Sequence, residues 1–161
     1  MIKVIEQFDR LVGRCLSPIV VILSLVVAVG MVTGIIARSV LQEPLLGLEE
    51  IILLSVMWLY MLGAALASRD NSHLTADFLS DYMPASDFRR QLQLLARLLV
   101  LIAALAFVVW SVDLFRWGFT MEQSTPVIKL PYYLVQSSMF IAAAIMAIYA
   151  LRDLLLFLGE D

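Results

Sequence analysis

The chain has 161 residues, of which 62% are hydrophobic and 16% charged, with a mean hydropathy of +0.94 and a formal net charge of −3. A water-soluble domain of this length carries a charged share nearer a quarter, so this composition specifies an integral membrane protein. The small negative charge says little about partners and gives no basis for a nucleic-acid ligand.

At the start of the chain, Ile2, Ile5, Phe8, Leu11, Val12 and Cys15 recur at helical spacing, while Lys3, Glu6, Gln7, Asp9, Arg10 and Arg14 occupy the remaining face. The pattern predicts a short amphipathic helix over about 2–15, lying at the membrane surface before the chain turns inward. A first span follows at about 16–37. It is long enough to cross and lacks a small-residue cleavage site, so it is expected to be a retained helix rather than a removable signal. Pro18 stands at its beginning, where a missing amide proton costs little. Gly30 and Gly34 within it make a small-xxx-small pair.

Arg38 leads out of this span, and a second begins at about 48–68 with Glu49 and Glu50 in its first turn. Carboxylates there are stabilised by the positive end of the helix dipole. Neighbouring helical residues point about 100° apart, so only one of the two faces a given partner. A salt bridge from Arg38 to Glu49 or Glu50 would pin the first hairpin, with the modest value of an exposed pair, about 0–1 kcal/mol. Further along, Trp58 is a large groove-filling side chain, and Gly63, Ala64, Ala65, Ala67 and Ser68 narrow the end of the helix. Packing within the four-helix unit and a lateral docking face for a larger partner both explain these small residues.

Arg69, His73 and Asp77 are spaced by four and would form one polar stripe on a continuous helix. Asn71 and Ser72 are good caps, however, and can restart a helix in a new direction. Leu74, Phe78, Leu79, Tyr82 and Met83 then share one face up to Pro84, which predicts a second interfacial helix at about 72–83. On this pattern His73 is a capping or anchoring residue, or bonds to Asp77. The third span, about 92–117, is the least regular, because its uncharged part is confined to 98–112 between Arg97 and Asp113. Both charges are expected near the interfaces, with Arg97 extended along its own apolar stem. Pro126 and Pro131 precede a fourth span at about 132–151, where Gln136, Ser137 and Ser138 suggest interhelical hydrogen bonding.

The fold class is therefore all-α, with four transmembrane helices and short amphipathic interfacial helices in a single domain, 1–161. With both termini and the middle connection inside, eight Lys and Arg residues lie on the cytoplasmic side against three outside, which the positive-inside rule favours.

Several membrane chemistries lack their residues. Thiol oxidoreduction needs cysteine pairs, and only Cys15 exists. Bis-histidine haem ligation or a zinc site needs more than the single His73. No phosphate-binding glycine loop or nucleophilic triad is present. An enzyme, a metal centre and a cofactor are not expected. Transport by the chain alone would require midplane ionisable groups or broken helices, and the span centres are nearly uncharged.

Arg38 after the first span, the GLEEI start of the second at 47–51, Trp58, the run LGAALASRDNSHLTADFLSDYMP at 62–84 and STPVIKLP at 124–131 together resemble the small membrane subunit, DctQ type, of tripartite ATP-independent periplasmic (TRAP) transporters. The likeness covers nearly the whole chain in length and order. It implies a multi-pass subunit of a bacterial or archaeal inner membrane. Its partners would be a large multi-helix permease subunit, which would carry the substrate and sodium sites, a periplasmic substrate-binding protein that delivers an organic acid, and membrane lipids. On this resemblance the chain is a scaffold that anchors the stationary part of the transporter. Gly30, Gly34, Trp58, Gly63 and Ala64 would pack, while Arg38, Glu49, Glu50, Arg69, His73 and Asp77 would set helix ends, interfacial depth or partner contacts. Two alternatives are a self-contained homo-oligomeric transporter using Glu49 or Glu50, and a membrane assembly factor recruiting cytosolic protein through 73–83.

Overall fold

The computed structural model describes residues 2–42, 45–69 and 87–159. Four helices among them are long and apolar enough to cross a membrane. They are α1 (Ile2–Ile36), α2 (Leu48–Arg69), α3 (Asp87–Thr120) and α4 (Tyr133–Leu158). A short π-helical turn, Ala37–Leu41, ends α1, and Gln42 then reverses the chain with a left-handed φ of 56°.

Residues 2–15 differ from the expected separate interfacial helix, for they are the first turns of a continuous 35-residue α1 with Pro18 inside it. No capping residue or Asx turn interrupts this stretch, and proline forfeits only its own amide bond to the carbonyl one turn earlier. Tertiary contacts hold it upright: Asp9 meets Arg69 of α2, and a Cβ added at Gly13 would collide with that same guanidinium. The expected interfacial helix at 72–83, with His73 and Asp77, lies outside the described residues.

The two other ends that depart from expectation also have physical causes. α3 starts at Asp87 and runs 34 residues, about 51 Å at 1.5 Å per residue, because its amphipathic first turns need no bilayer to stay helical. α4 continues past 151 to Leu158, since Arg152 and Asp153 neutralise each other and Leu154 is buried just beyond them.

The helices stand in an open row in the order α1, α2, α4, α3, the three principal packing pairs being α1 on α2, α2 on α4 and α4 on α3. Buried residues are more frequent along the inner pair, α2 and α4, than along the edge helices α1 and α3, where few residues of the spanning stretch are buried. The core is accordingly small: Leu62 and Ala65 of α2 are buried, as are Ala142, Ala143, Tyr149, Ala150 and Leu154 of α4. Small side chains let backbones approach closely, which is how helices gain dispersion energy where lipid removes the hydrophobic drive between them. Buried Ser55, Ser111 and Ser138 return their hydroxyl protons to carbonyls of their own helices, Ile51, Val108 and Val135, so none of these three hydroxyls is stranded in an apolar setting.

Candidate functional site

Polar chemistry gathers at the two ends of the helices. At one end, Arg38 and Glu49 form an ion pair between two side chains that are 65% and 72% exposed. Glu50, one residue on, faces elsewhere. Its carboxylate accepts the backbone N–H groups of Val127 and Ile128, each at 2.8 Å. The two adjacent glutamates thus serve two partners, as a 100° step between them requires.

The segment that Glu50 holds is a tightly built hairpin. Ser124 and Pro131 form an isolated antiparallel bridge, the Thr125 N–H donates to the Leu130 carbonyl at 2.8 Å, and the Leu130 N–H donates to the Thr125 hydroxyl at 2.9 Å. Thr125 is only 4% exposed. Lys129 turns the chain with a φ of 57°. Gly47, at φ +90°, lies directly beneath, and a Cβ there would strike Ile128. Trp58 adds a second tie between α2 and the start of α4, its indole N–H donating to the Leu134 carbonyl at 3.1 Å.

At the opposite end all four helices are joined through arginines. Arg69, the last residue of α2, grips Asp9 of α1 with Nε at 2.9 Å and Nη2 at 3.1 Å, the bidentate geometry that a planar guanidinium suits. Arg152 of α4 is the hub. Its Nη1 lies 3.7 Å from Asp9, its Nη2 donates to the Arg69 carbonyl at 3.3 Å, and its Nε donates to Asp153 at 2.9 Å. The same guanidinium stacks over the ring of buried Tyr149, whose hydroxyl sits 3.4 Å from Asp9. From α3, Arg97 donates to the Asp153 carbonyl at 3.1 Å and covers the Phe157 ring. The Arg69 hydrogen bonds hold the Asp9 carboxyl below the usual aspartate range against the opposing cost of desolvation, and the charges of Arg69 and Arg152 add to the effect.

The small residues divide between uses. A Cβ at Gly30 would meet Ile52 at 2.9 Å and one at Gly34 would meet Leu48 at 3.5 Å, so this pair lies at the α1–α2 contact. Gly63 differs: nothing among the described residues lies within 4 Å of where its Cβ would stand. Ala64 beside it is half-exposed.

The sequence reading did not single out Asp9, Arg152 or Tyr149 as a cluster, nor Gly118. The last is closed down on by Gln136, whose side-chain amide occupies the space a Cβ would need. Among the described residues the buried Gln136 Oε1 has no hydrogen-bond donor. The polar face of 2–15 was a signal that Asp9 needs water or a partner, yet nothing in local periodicity names residues 60 and 140 positions away.

Residues 27–159 match the family described as tripartite ATP-independent periplasmic transporters, DctQ component. The chain belongs to that family. This DctQ chain is 28% identical over 107 residues to the isethionate TRAP transporter permease protein DctMQ of Oleidesulfovibrio alaskensis, a stretch that covers 66% of this chain and 16% of that protein. It is 29% identical over 86 residues to the sialic acid TRAP transporter permease protein SiaT of Haemophilus influenzae, covering 53% and 14% respectively. The DctQ chain therefore spans a minor part of the length of both relatives. Family membership and the four apolar helices make it a multi-pass inner-membrane component of a transporter and not an enzyme, as the resemblance implied.

Proposed function

We propose that this DctQ chain is the small accessory subunit of a TRAP transporter, anchoring a large multi-helix permease subunit during sodium-coupled, binding-protein-dependent uptake of an organic acid. The observation that carries this reading is the open row itself. Four helices standing side by side, with each edge helix packed mainly on a single neighbour and few of its spanning residues buried, make a wall rather than an enclosure. The ion pairs and carboxylate clamps among the described residues hold helix ends together, while the span centres carry no Asp, Glu, Lys, Arg or His to bind a substrate or a coupling ion. A frame with these properties suits a stationary support, against which a mobile transport domain in another polypeptide moves.

The arginine end faces the cytoplasm in this reading, since basic residues are retained inside, and the Glu50 hairpin faces the periplasm, where a substrate-binding protein docks. Isethionate and sialic acid, named for the relatives, are both small organic anions, the class of substrate proposed. Sodium sites and substrate selectivity belong to the large subunit.

Reconstitution tests the proposal. Proteoliposomes holding this chain, the large permease subunit and the binding protein should accumulate labelled organic acid on an inward sodium gradient, and omission of this chain should abolish uptake. Ion-coupled uptake by this chain alone would overturn the scaffold reading in favour of a self-contained transporter.

A further inference from the structure

The outward face of α2 carries a hydroxyl that lipid cannot satisfy. Tyr60 is 66% exposed, and no hydrogen bond to its hydroxyl exists among the described residues. It stands about 18 Å from Leu48 and about 13 Å from Arg69 along the helix axis, so it lies deep in an apolar layer about 30 Å thick. Helical side chains lean toward the N-terminus of their helix, which tips Tyr60 away from the nearer boundary at Arg69. Tyrosine is ordinarily a residue of the membrane interface, with its ring in the apolar layer and its hydroxyl wetted. Trp110, 71% exposed on α3, meets that description, being one turn from Asp113. Tyr60 does not.

The surroundings of Tyr60 are shaped to receive another helix. Leu53, Tyr60, Gly63 and Ala64 fall within about 100° of arc on α2, while Ser55, Leu62 and Ala65 point to the other side, where they are buried. Leu53 is 49% exposed, and Gly63 leaves a notch in which nothing stands within 4 Å of the missing Cβ. Hydrocarbon tails fill a notch but offer no acceptor, whereas a polypeptide helix supplies both bulk and a carbonyl or polar side chain. The two relatives say which polypeptide is at hand: the matched stretches make up only 16% and 14% of these two permease proteins, so in them the counterpart of this chain lies within a much larger permease polypeptide.

We propose that the Tyr60–Gly63 face of α2 is the seam against which the large permease polypeptide packs, with an acceptor on that polypeptide meeting the Tyr60 hydroxyl at mid-membrane depth. This rests on the accessory-subunit reading above and adds which face makes the contact.

The test uses the chain co-expressed with its large permease subunit in native membranes, with the photoreactive amino acid p-benzoylphenylalanine in place of Tyr60. Illumination should join the two polypeptides into one product. In parallel, Tyr60→Phe should lower recovery of the detergent-purified complex about threefold, the effect of one membrane hydrogen bond, and Gly63→Leu should lower it about tenfold by filling the notch. Helical content of the chain purified alone should be unchanged in both variants, which separates lost docking from lost folding. Adducts confined to lipid, to the chain itself or to a second copy would overturn the proposed seam while leaving the accessory role intact. If the unsubstituted chain fails to co-purify with the permease at all, the accessory reading itself falls.

Discussion

Asp9 and Arg69, 60 residues apart in sequence, meet at 2.9 Å and bind the first turns of α1 to the last residue of α2. The contact is two-pronged and less than a third exposed on either side, so it is the strongest candidate for the tie that keeps residues 2–15 in line with the first span.

Asp9→Asn should lower stability by about 1–2 kcal/mol, because the amide keeps the shape but surrenders the charge-assisted bonds to Arg69. Thermal unfolding in detergent at neutral pH measures it. The loss should also depend on pH. Since Arg69 holds the folded Asp9 carboxyl below its usual value, the pair contributes in full above the unfolded aspartate pKa of about 3.9 and fades as pH falls through it toward the lower folded value. The stability gap between parent and variant should accordingly be constant from about pH 5 to 7 and close below about pH 4.

Arg152 and Arg38 offer a comparison between two arginines that both make ion pairs. Arg152→Ala removes a 13%-exposed guanidinium serving Asp9, Asp153, the Arg69 carbonyl and the Tyr149 ring, and should cost about 2–3 kcal/mol. Arg38→Ala removes a solvent-exposed partner of Glu49 and should cost no more than about 1 kcal/mol. Equal losses in chemical denaturation would contradict the assignment of Arg152 as the hub.

Glu50 and Glu49 should separate in the same manner. In Glu50→Gln one of the two backbone donors at Val127 and Ile128 faces an NH2 group instead of an oxygen, so amide exchange at 127–128 should quicken roughly tenfold. Glu49→Gln should leave those amides unchanged. In the assembled transporter Glu50→Gln should reduce complex yield or uptake without altering which substrate is carried.

Gly118→Ala should destabilise the α3–α4 contact by about 1–3 kcal/mol, because its Cβ would land on the Gln136 amide and force that side chain or the helix to shift. The double variant Gly118→Ala with Gln136→Ala should lose less than the sum of the two single losses, a coupling of about 1 kcal/mol. Strict additivity in a double-mutant cycle would show that the two residues do not touch.

Much of this architecture was legible from residue types alone. Four apolar runs of spanning length, carboxylates opening the second and the polar residues Gln136, Ser137 and Ser138 near the start of the fourth all correspond to helices in the structure. Arg38 was expected to meet Glu49 or Glu50, and it meets Glu49. Besides the longer ends of α3 and α4, two features depart from the sequence pattern. The periodicity of 2–15 was correct for a helix but silent on its direction, which Asp9 and Gly13 decide through Arg69. Glu50 was placed at a helix start for dipole reasons, and its role as the clamp of a hairpin more than seventy residues away had no local signature.

Hydropathy, helix period and charge placement act through each residue and its near neighbours against a layer of given thickness, so the chain's order of amino acids determined on its own that it crosses the membrane four times. Only the tertiary structure decided that the helices line up as α1, α2, α4, α3, that Arg152 gathers Asp9, Tyr149 and the end of α2, and that Gly118 yields its space to Gln136. In lipid no gradient of hydrophobicity selects one apolar helix face over another. The choice falls to shape and to the few polar groups that must find each other, and both are properties of pairs of distant segments.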